Sequence, residues 1–292
     1  YHRPTKAVID LNAIWQNITQ EKQRHPDKEI FAVVKADGYG HGAVSVAKVA
    51  LKAGAQGFCT ATLDEAIELR HSGITQPILI LGIISPADAA LAAAYHLSVP
   101  VAEIEWLKEA AVYLKDSSLT LHLHIKIDTG MGRIGFLNAE ETTQALAVIE
   151  KEQNFYWEGI FTHFATADQE DVQYFQAQSR YFNEILNTLP YQPKYVHTAN
   201  SATAMWHQDI GNMVRLGIAM YGLNPSGTAL TSTYPLVPAL SLVSEIVQTK
   251  KLPKGYGIGY GKTYETKTEE WIATIPIGYA DGFTRDLQGF HV

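Results

Sequence analysis

The sequence predicts an α/β protein: an eight-stranded parallel (β/α)8 barrel of the TIM type over residues 6–230, then a mainly β domain from 237 to 292. Three observations predict it. Short apolar runs alternate eight times with patterns of helical period up to residue 216. The composition shifts near residue 224, where Asn224-Pro225-Ser226-Gly227 and Thr231-Ser232-Thr233-Tyr234-Pro235 read as a linker. Beyond it, period-2 runs and crowded glycines replace the helical pattern. Residues 1–5 are expected to pack with the β domain. A doubly wound open sheet is the rival that periodicity leaves open.

The elements follow in order. Asp10 is placed to cap a helix whose apolar residues Leu11, Ile14, Trp15 and Ile18 recur at i, i+3, i+4 and i+7. The eight strands are expected at 31–34, 57–60, 78–81, 98–101, 121–127, 159–164, 195–198 and 213–216. Helical patterns begin at Ala43, Leu63, Glu103, Ala139 and Asp171, with a short one near Ser201. Ser85-Pro86-Ala87-Asp88 reads as an N-cap, a proline at the first helical position and an acidic N3 residue. In the last part, Leu240–Val247 and Glu270–Ile277 are the β runs.

Composition narrows the function. The 292 residues are 46% apolar and 18% charged, enough for a sizeable core. With 23 basic and 30 acidic residues the net charge is -7, which argues against nucleic acid or an anionic membrane as the main partner. No apolar run reaches the ~18 residues that span a bilayer. The single cysteine, Cys59, lies in a buried-looking strand and fits a reducing cytoplasm. No His-Glu-x-x-His run or carboxylate cluster marks a metal site, so no metal is expected. Gly255-Tyr256-Gly257-Ile258-Gly259-Tyr260-Gly261 lacks the following helix that a dinucleotide loop needs.

In such a barrel the chemistry sits at the C-terminal ends of the strands. Strand one closes on Lys35, a partly desolvated amine suited to a Schiff base, before the Gly-rich Asp37-Gly38-Tyr39-Gly40-His41-Gly42. Strand five leads to Lys126 and, across a Gly-flanked loop, Arg133. Strand six ends on Thr162-His163-Phe164. Strand seven leads to Asn200-Ser201-Ala202-Thr203 and strand eight to Arg215-Leu216-Gly217-Ile218, where this fold usually holds phosphate. A lysine, two arginines, a histidine and a phosphate cradle at one rim resemble a pyridoxal phosphate pocket. A phosphosugar enzyme with a lysine base fits these features as well.

Longer motifs carry a more specific resemblance. Ala32-Val33-Val34-Lys35-Ala36-Asp37-Gly38-Tyr39-Gly40-His41-Gly42, Lys126-Ile127-Asp128-Thr129-Gly130-Met131-Gly132-Arg133 and Phe161-Thr162-His163-Phe164 come in the order seen in alanine racemases. So do Asn200-Ser201-Ala202-Thr203, Arg215 to Gly222, Gly259-Tyr260-Gly261 and Pro276-Ile277-Gly278-Tyr279-Ala280-Asp281-Gly282. The chain resembles that family from about residue 2 to its last residue.

The resemblance implies pyridoxal 5'-phosphate, interconversion of L- and D-alanine for peptidoglycan, a cytoplasmic location, and a homodimer whose active sites are shared between subunits. It implies a longer chain, cut short here within the β domain. Lys35 would hold the cofactor and serve as one base, with Tyr260 as the other. Arg215 would donate to the ring nitrogen. Tyr39, Asn200, Ser201, Gly217 and Ile218 would hold the phosphate end. Arg133 would lie near the phenolic oxygen, His163 against the ring, and Arg133 and Tyr279 near substrate. Lys126 is the family's candidate for carbamylation. The rival readings are a non-catalytic pyridoxal phosphate-binding barrel, an inactive truncated fragment, and a barrel-plus-β decarboxylase, a class that resembles an acidic partner where Arg215 stands.

Overall fold

The computed structural model describes residues 2–208 and 210–287. Along the chain come β1 (Lys6–Ile9), α1 (Leu11–Arg24), β2 (Glu29–Val33), α2 (Ala43–Lys52), β3 (Gly57–Thr60), α3 (Leu63–His71), β4 (Ile78–Ile80) and α4 (Ala89–Ala94). Then follow β5 (Ser98–Val101), α5 (Ile104–Leu114), β6 (Leu121–Lys126), α6 (Ala139–Lys151), β7 (Phe155–Phe161), α7 (Gln173–Thr188), β8 (Tyr195–His197), α8 (Ser201–Trp206) and β9 (Met213–Leu216). Five short strands end the series: β10 (Leu240–Val243), β11 (Gln248–Leu252), β12 (Gly257–Ile258), β13 (Tyr264–Glu265) and β14 (Glu270–Thr274).

The chain divides into two compact units. One runs from Asp10 to Ala239; the other joins the residues up to Ile9 with those from Leu240 onward. The first unit therefore begins at 10 and ends at 239, not at 6 and 230.

In that unit β2 to β8 pair in sequence order, all parallel, and β9 returns to lie beside β2 with Arg215 opposite Phe31. A bridge between Ala199 and Val214 joins the β8 side to β9, and the Arg215 N–H donates to the Ala199 carbonyl at 3.0 Å. This ring is a barrel and excludes the open sheet. Strand β7 starts four residues before the expected 159. A bulge opposite Leu123 and His124 absorbs one residue, and pairing continues back to Phe155. Phe31, Val33, Cys59, Leu79, Tyr195 and Met213 fill one interior layer. Burial pushes the Cys59 thiol up to about 12, so it packs rather than reacts.

The caps are chemical. The Asp10 carboxylate accepts from the N–H groups of Asn12 and Ala13. Thr62 and Glu65 form a capping box on α3. Ser85 caps a single 3-10 turn, Pro86–Asp88, ahead of α4.

Two expectations need correction. The buried face of α1 runs through Ala13, Ile14, Asn17, Ile18 and Glu21, while Leu11 and Trp15 are exposed. The face is turned because two polar side chains have partners inside. Asn17 donates to the carbonyls of Met220 and Val237 and accepts from the Val237 N–H. Tyr234 donates to Glu21 at 2.7 Å. For the same reason residues 224–239 are no free linker. They are pinned to the barrel at Asn17, at Glu21, and at the Thr231 carbonyl, which accepts from the Trp206 indole.

In the second unit β1 pairs antiparallel with β10, β11 with β14, and β12 with β13. Thr5 donates to the Pro276 carbonyl and Arg3 pairs with Asp281, so the N-terminal residues are stitched into this unit. The expected run Leu240–Val247 is broken at Val243, and Glu270–Ile277 ends at Thr274.

Asn17→Leu keeps the volume of that side chain but leaves two carbonyls and one N–H unpaired. It should cost about 3 kcal/mol in urea unfolding. A loss below about 0.5 kcal/mol would show that 224–239 is held by other means.

Candidate active site

A cavity of about 720 Å3 opens at the C-terminal ends of the barrel strands. Its wall brings together Lys35, Tyr39, Lys126, Arg133, His163, Asn200, Ser201, Arg215, Gly217 and Ile218, all from the barrel unit. Tyr260 and Tyr279 lie in the β unit, 84% and 73% exposed.

Lys35 is separated from the end of β2 only by Val34 and opens a left-handed turn. Ala36, Asp37, Gly38 and Tyr39 have φ of 52°, 51°, 61° and 55°. Left-handed backbone costs a residue with a Cβ about 1 kcal/mol, so the turn needs anchors. Glu65 provides one: its carboxylate accepts from the Ala36 and Ala61 N–H groups, both at 2.7 Å. Asp37 provides another by accepting from the Ala43 N–H at the start of α2. The turn carries the Tyr39 ring against Tyr221, and the Lys35 ammonium lies 5.8 Å from the Tyr39 ring centre.

Across the cavity, Ser201 accepts from the N–H groups of Gly217 and Ala219 at 2.9 and 3.4 Å. Its own hydrogen is left to donate elsewhere. A Cβ on Gly217 would sit 3.2 Å from the Tyr39 hydroxyl and 3.8 Å from the Ser201 oxygen. The three residues thus surround one small space with two hydroxyl donors and no side-chain carboxylate. That is a fit for an anionic ester group. Asn200 shapes this corner indirectly, by capping α8 at Thr203.

Arg215 is buried at the cavity floor. It donates to His197 Nδ1 at 2.6 Å and to the carbonyls of His197, Thr162 and Thr198. It also reaches His163 Nδ1 at 3.4 Å. Burial, then the charge of Arg215, pulls the His163 imidazole down to about 3, so this ring is neutral.

Lys126 is 2% exposed and donates to the Ile127 carbonyl. Burial, then Arg215, lowers its amine to about 7. The next loop is shaped by Asp128, whose carboxylate accepts from the N–H groups of Gly130, Gly132 and Arg133 at 2.9, 3.0 and 2.9 Å. Burial would raise that carboxyl, but the three donors hold it below its usual value. Gly135, at φ 133°, lets the loop close: a Cβ there would lie 2.4 Å from the Asp128 nitrogen. The loop presents Arg133 to the cavity. The one sequence signal for Asp128 is its place ahead of Gly130 and Gly132, and nothing local marks Glu65 as an anchor of the turn after Lys35.

The family model for the N-terminal domain of alanine racemase matches residues 9–225, and that for the C-terminal domain matches 239–292. The chain belongs to the alanine racemase family. It is 52% identical over 295 residues to the alanine racemase of Levilactobacillus brevis, covering 100% of this chain and 79% of that protein. The crystal structure of alanine racemase from E. faecalis superposes with a TM-score of 0.95 at 55% identity, covering 99% of this chain and 79% of that one. A histidine racemase from Leuconostoc mesenteroides also superposes, with a TM-score of 0.90 at 36% identity over 97% of this chain and 77% of that one. These racemases share the barrel followed by a mainly β unit. Among the described residues no helix is long and apolar enough to cross a membrane.

The depressed Lys126 amine has a measurable consequence. Between pH 7 and its ordinary 10.5 the unfolded chain binds one more proton there than the folded chain. Stability therefore rises with pH across that window, by up to about 1.4 kcal/mol per pH unit. In carbonate-free buffer, the stability of the wild type relative to Lys126→Met should climb from pH 7 to 9. A flat difference would mean that Lys126 keeps its usual proton affinity.

Proposed function

We propose that this chain interconverts L- and D-alanine with pyridoxal 5'-phosphate bound in the barrel cavity, as a cytoplasmic homodimer that supplies D-alanine for peptidoglycan. The observation that carries the reading is one cavity holding a lysine at a strand end, a hydroxyl-lined anion space and a buried arginine, in a chain about half identical to alanine racemases. The bound cofactor supplies a conjugated system that accepts the electrons left when alanine's α-proton departs.

The residues divide the remaining work. Lys35 would hold the cofactor covalently and, when its amine is free, would exchange the substrate's α-proton on one face. Tyr260 of the second subunit exchanges it on the other. Tyr39, Ser201, Gly217 and Ile218 hold the phosphate, with Asn200 keeping their corner in shape. His163, a neutral ring in contact with Arg215, would lie against the cofactor ring. Arg133 and Tyr279 orient the substrate. Lys126, whose lowered amine is about half unprotonated at pH 7, is the site for carbamylation, and the carbamate would orient Arg133.

Arg215 selects the reaction. A guanidinium does not surrender its proton at ordinary pH, so it can only donate to a ring nitrogen, which then stays unprotonated. Arg215 would thereby favour return of the proton to alanine's α-carbon, and with it racemisation over transamination. An acidic residue here would favour the decarboxylase reading; Arg215 disfavours it.

The test is an assay of racemisation with two variants and their mixture. Lys35→Ala and Tyr260→Phe homodimers should each be nearly inactive, and borohydride should label no lysine of Lys35→Ala with the pyridoxyl group. Mixed subunits place both defects in one site and leave the other intact. With random pairing, about one quarter of wild-type activity should return. Pyridoxyl label on another lysine would overturn the role of Lys35. No recovery despite proven exchange would overturn the shared site.

A further inference from the structure

Beneath the cavity a line of buried polar groups crosses the barrel, and the reaction above uses only its first member. Arg215 donates to His197 Nδ1 at 2.6 Å. His197 Nε2 lies 2.8 Å from His124 Nδ1, and His124 Nε2 lies 3.2 Å from a Glu158 oxygen. Glu158 also accepts from Ser98 and contacts His122 Nδ1 at 3.1 Å. His197, His124, Glu158 and Ser98 are each 4% exposed or less. We infer that Glu158 is a positioning residue for racemisation, acting through His124 and His197 to keep Arg215 a fixed donor at the cavity floor.

The two ends of the line impose one polarity. Arg215 has only donors, so His197 Nδ1 must accept and its proton sits on Nε2. That proton is given to His124 Nδ1, so the His124 proton also sits on Nε2 and goes to Glu158. A carboxylate has only acceptors, so it demands the same direction. Burial lowers both imidazoles, which keeps them neutral. The guanidinium and the carboxylate thus balance each other through two neutral rings, and neither ring can flip without facing donor to donor.

The backbone is built around this line. The register of β6 and β7 slips between Leu123 and His124, so that Trp157 and Gly159 find partners there and Glu158 is the extra residue. Such a bulge re-aims a side chain. Gly159 makes the room: a Cβ there would lie 2.3 Å from His124 Nδ1. His197 is stacked on Phe161 at 4.6 Å and 11°, which fixes its ring plane.

The inference rests on Arg215 serving the cofactor ring, so its test reads the histidines apart from turnover. Nitrogen-15 NMR of histidine-labelled holoenzyme should show His124 and His197 neutral and protonated on Nε2 alone from about pH 6 to 9. Glu158→Gln keeps an acceptor oxygen, so both tautomers should persist and kcat should stay within about threefold. Glu158→Leu removes the acceptor. His197 should lose its single tautomer and kcat should fall at least roughly tenfold, with KM for alanine changed less than about twofold. If the leucine variant does not fold, His124→Phe cuts the same line and is held to the same result. A wild-type His197 proton on Nδ1, an imidazolium in that pH range, failure of the glutamine variant to keep kcat, or wild-type tautomers and kcat in the cut variant would each overturn the inference. Correct tautomers in a wild type without racemase activity would instead overturn the proposed function alone.

Discussion

A guanidinium buried at the floor of the barrel is the constraint around which the site is organised. Arg215 is 3% exposed, and a buried cation must be met by acceptors or it destabilises the fold by several kcal/mol. The barrel meets it with the carbonyls of Thr162, His197 and Thr198, supplied from the ends of β7 and β8. It adds the lone pairs of two imidazoles. The charge also acts on its neighbours, adding to the burial that lowers His163, His197 and the amine of Lys126. Burial comes first in each case, and the fixed positive charge adds to it, so His163, His197 and Lys126 are all biased toward their neutral forms.

The rim answers a different demand, that of bending the backbone sharply next to reactive side chains. Two carboxylates do this without touching the cavity's reactive groups. Asp128 gathers three N–H groups and folds the loop that carries Arg133. Glu65 completes a helix cap and at the same time holds the strained turn after Lys35. Each uses ionised oxygens on backbone donors, the stronger kind of hydrogen bond, to offset unfavourable backbone geometry.

Much of this was legible in the sequence because the barrel ties position to role. Eight apolar runs marked the strands, and the residues just after them, from Lys35 to Ile218, line one cavity. What stayed hidden depended on side chains overriding the local pattern. Asn17 and Glu21 turned the face of α1 because distant backbone and a distant tyrosine bind them. The residues 224–239 look like a linker by composition yet are tied down by those same groups. Left-handed Ala36 and Asp37 have no local signal, since their anchor is Glu65, 29 residues from Ala36. The alternation His122, His124, Lys126 put three polar side chains on one face of β6. Nothing local marks Glu158 as the neighbour of the two histidines, because a bulge in β7 takes that residue out of phase.

A guanidinium held from below, as Arg215 is, could only donate to the ring nitrogen of a bound pyridoxal 5'-phosphate. The most direct measurement is the nitrogen-15 NMR shift of the ring nitrogen in enzyme loaded with ring-labelled pyridoxal 5'-phosphate. That nitrogen is expected to be unprotonated and hydrogen-bonded across neutral pH, and to take the protonated shift in Arg215→Glu. A protonated ring nitrogen in the wild type would contradict it.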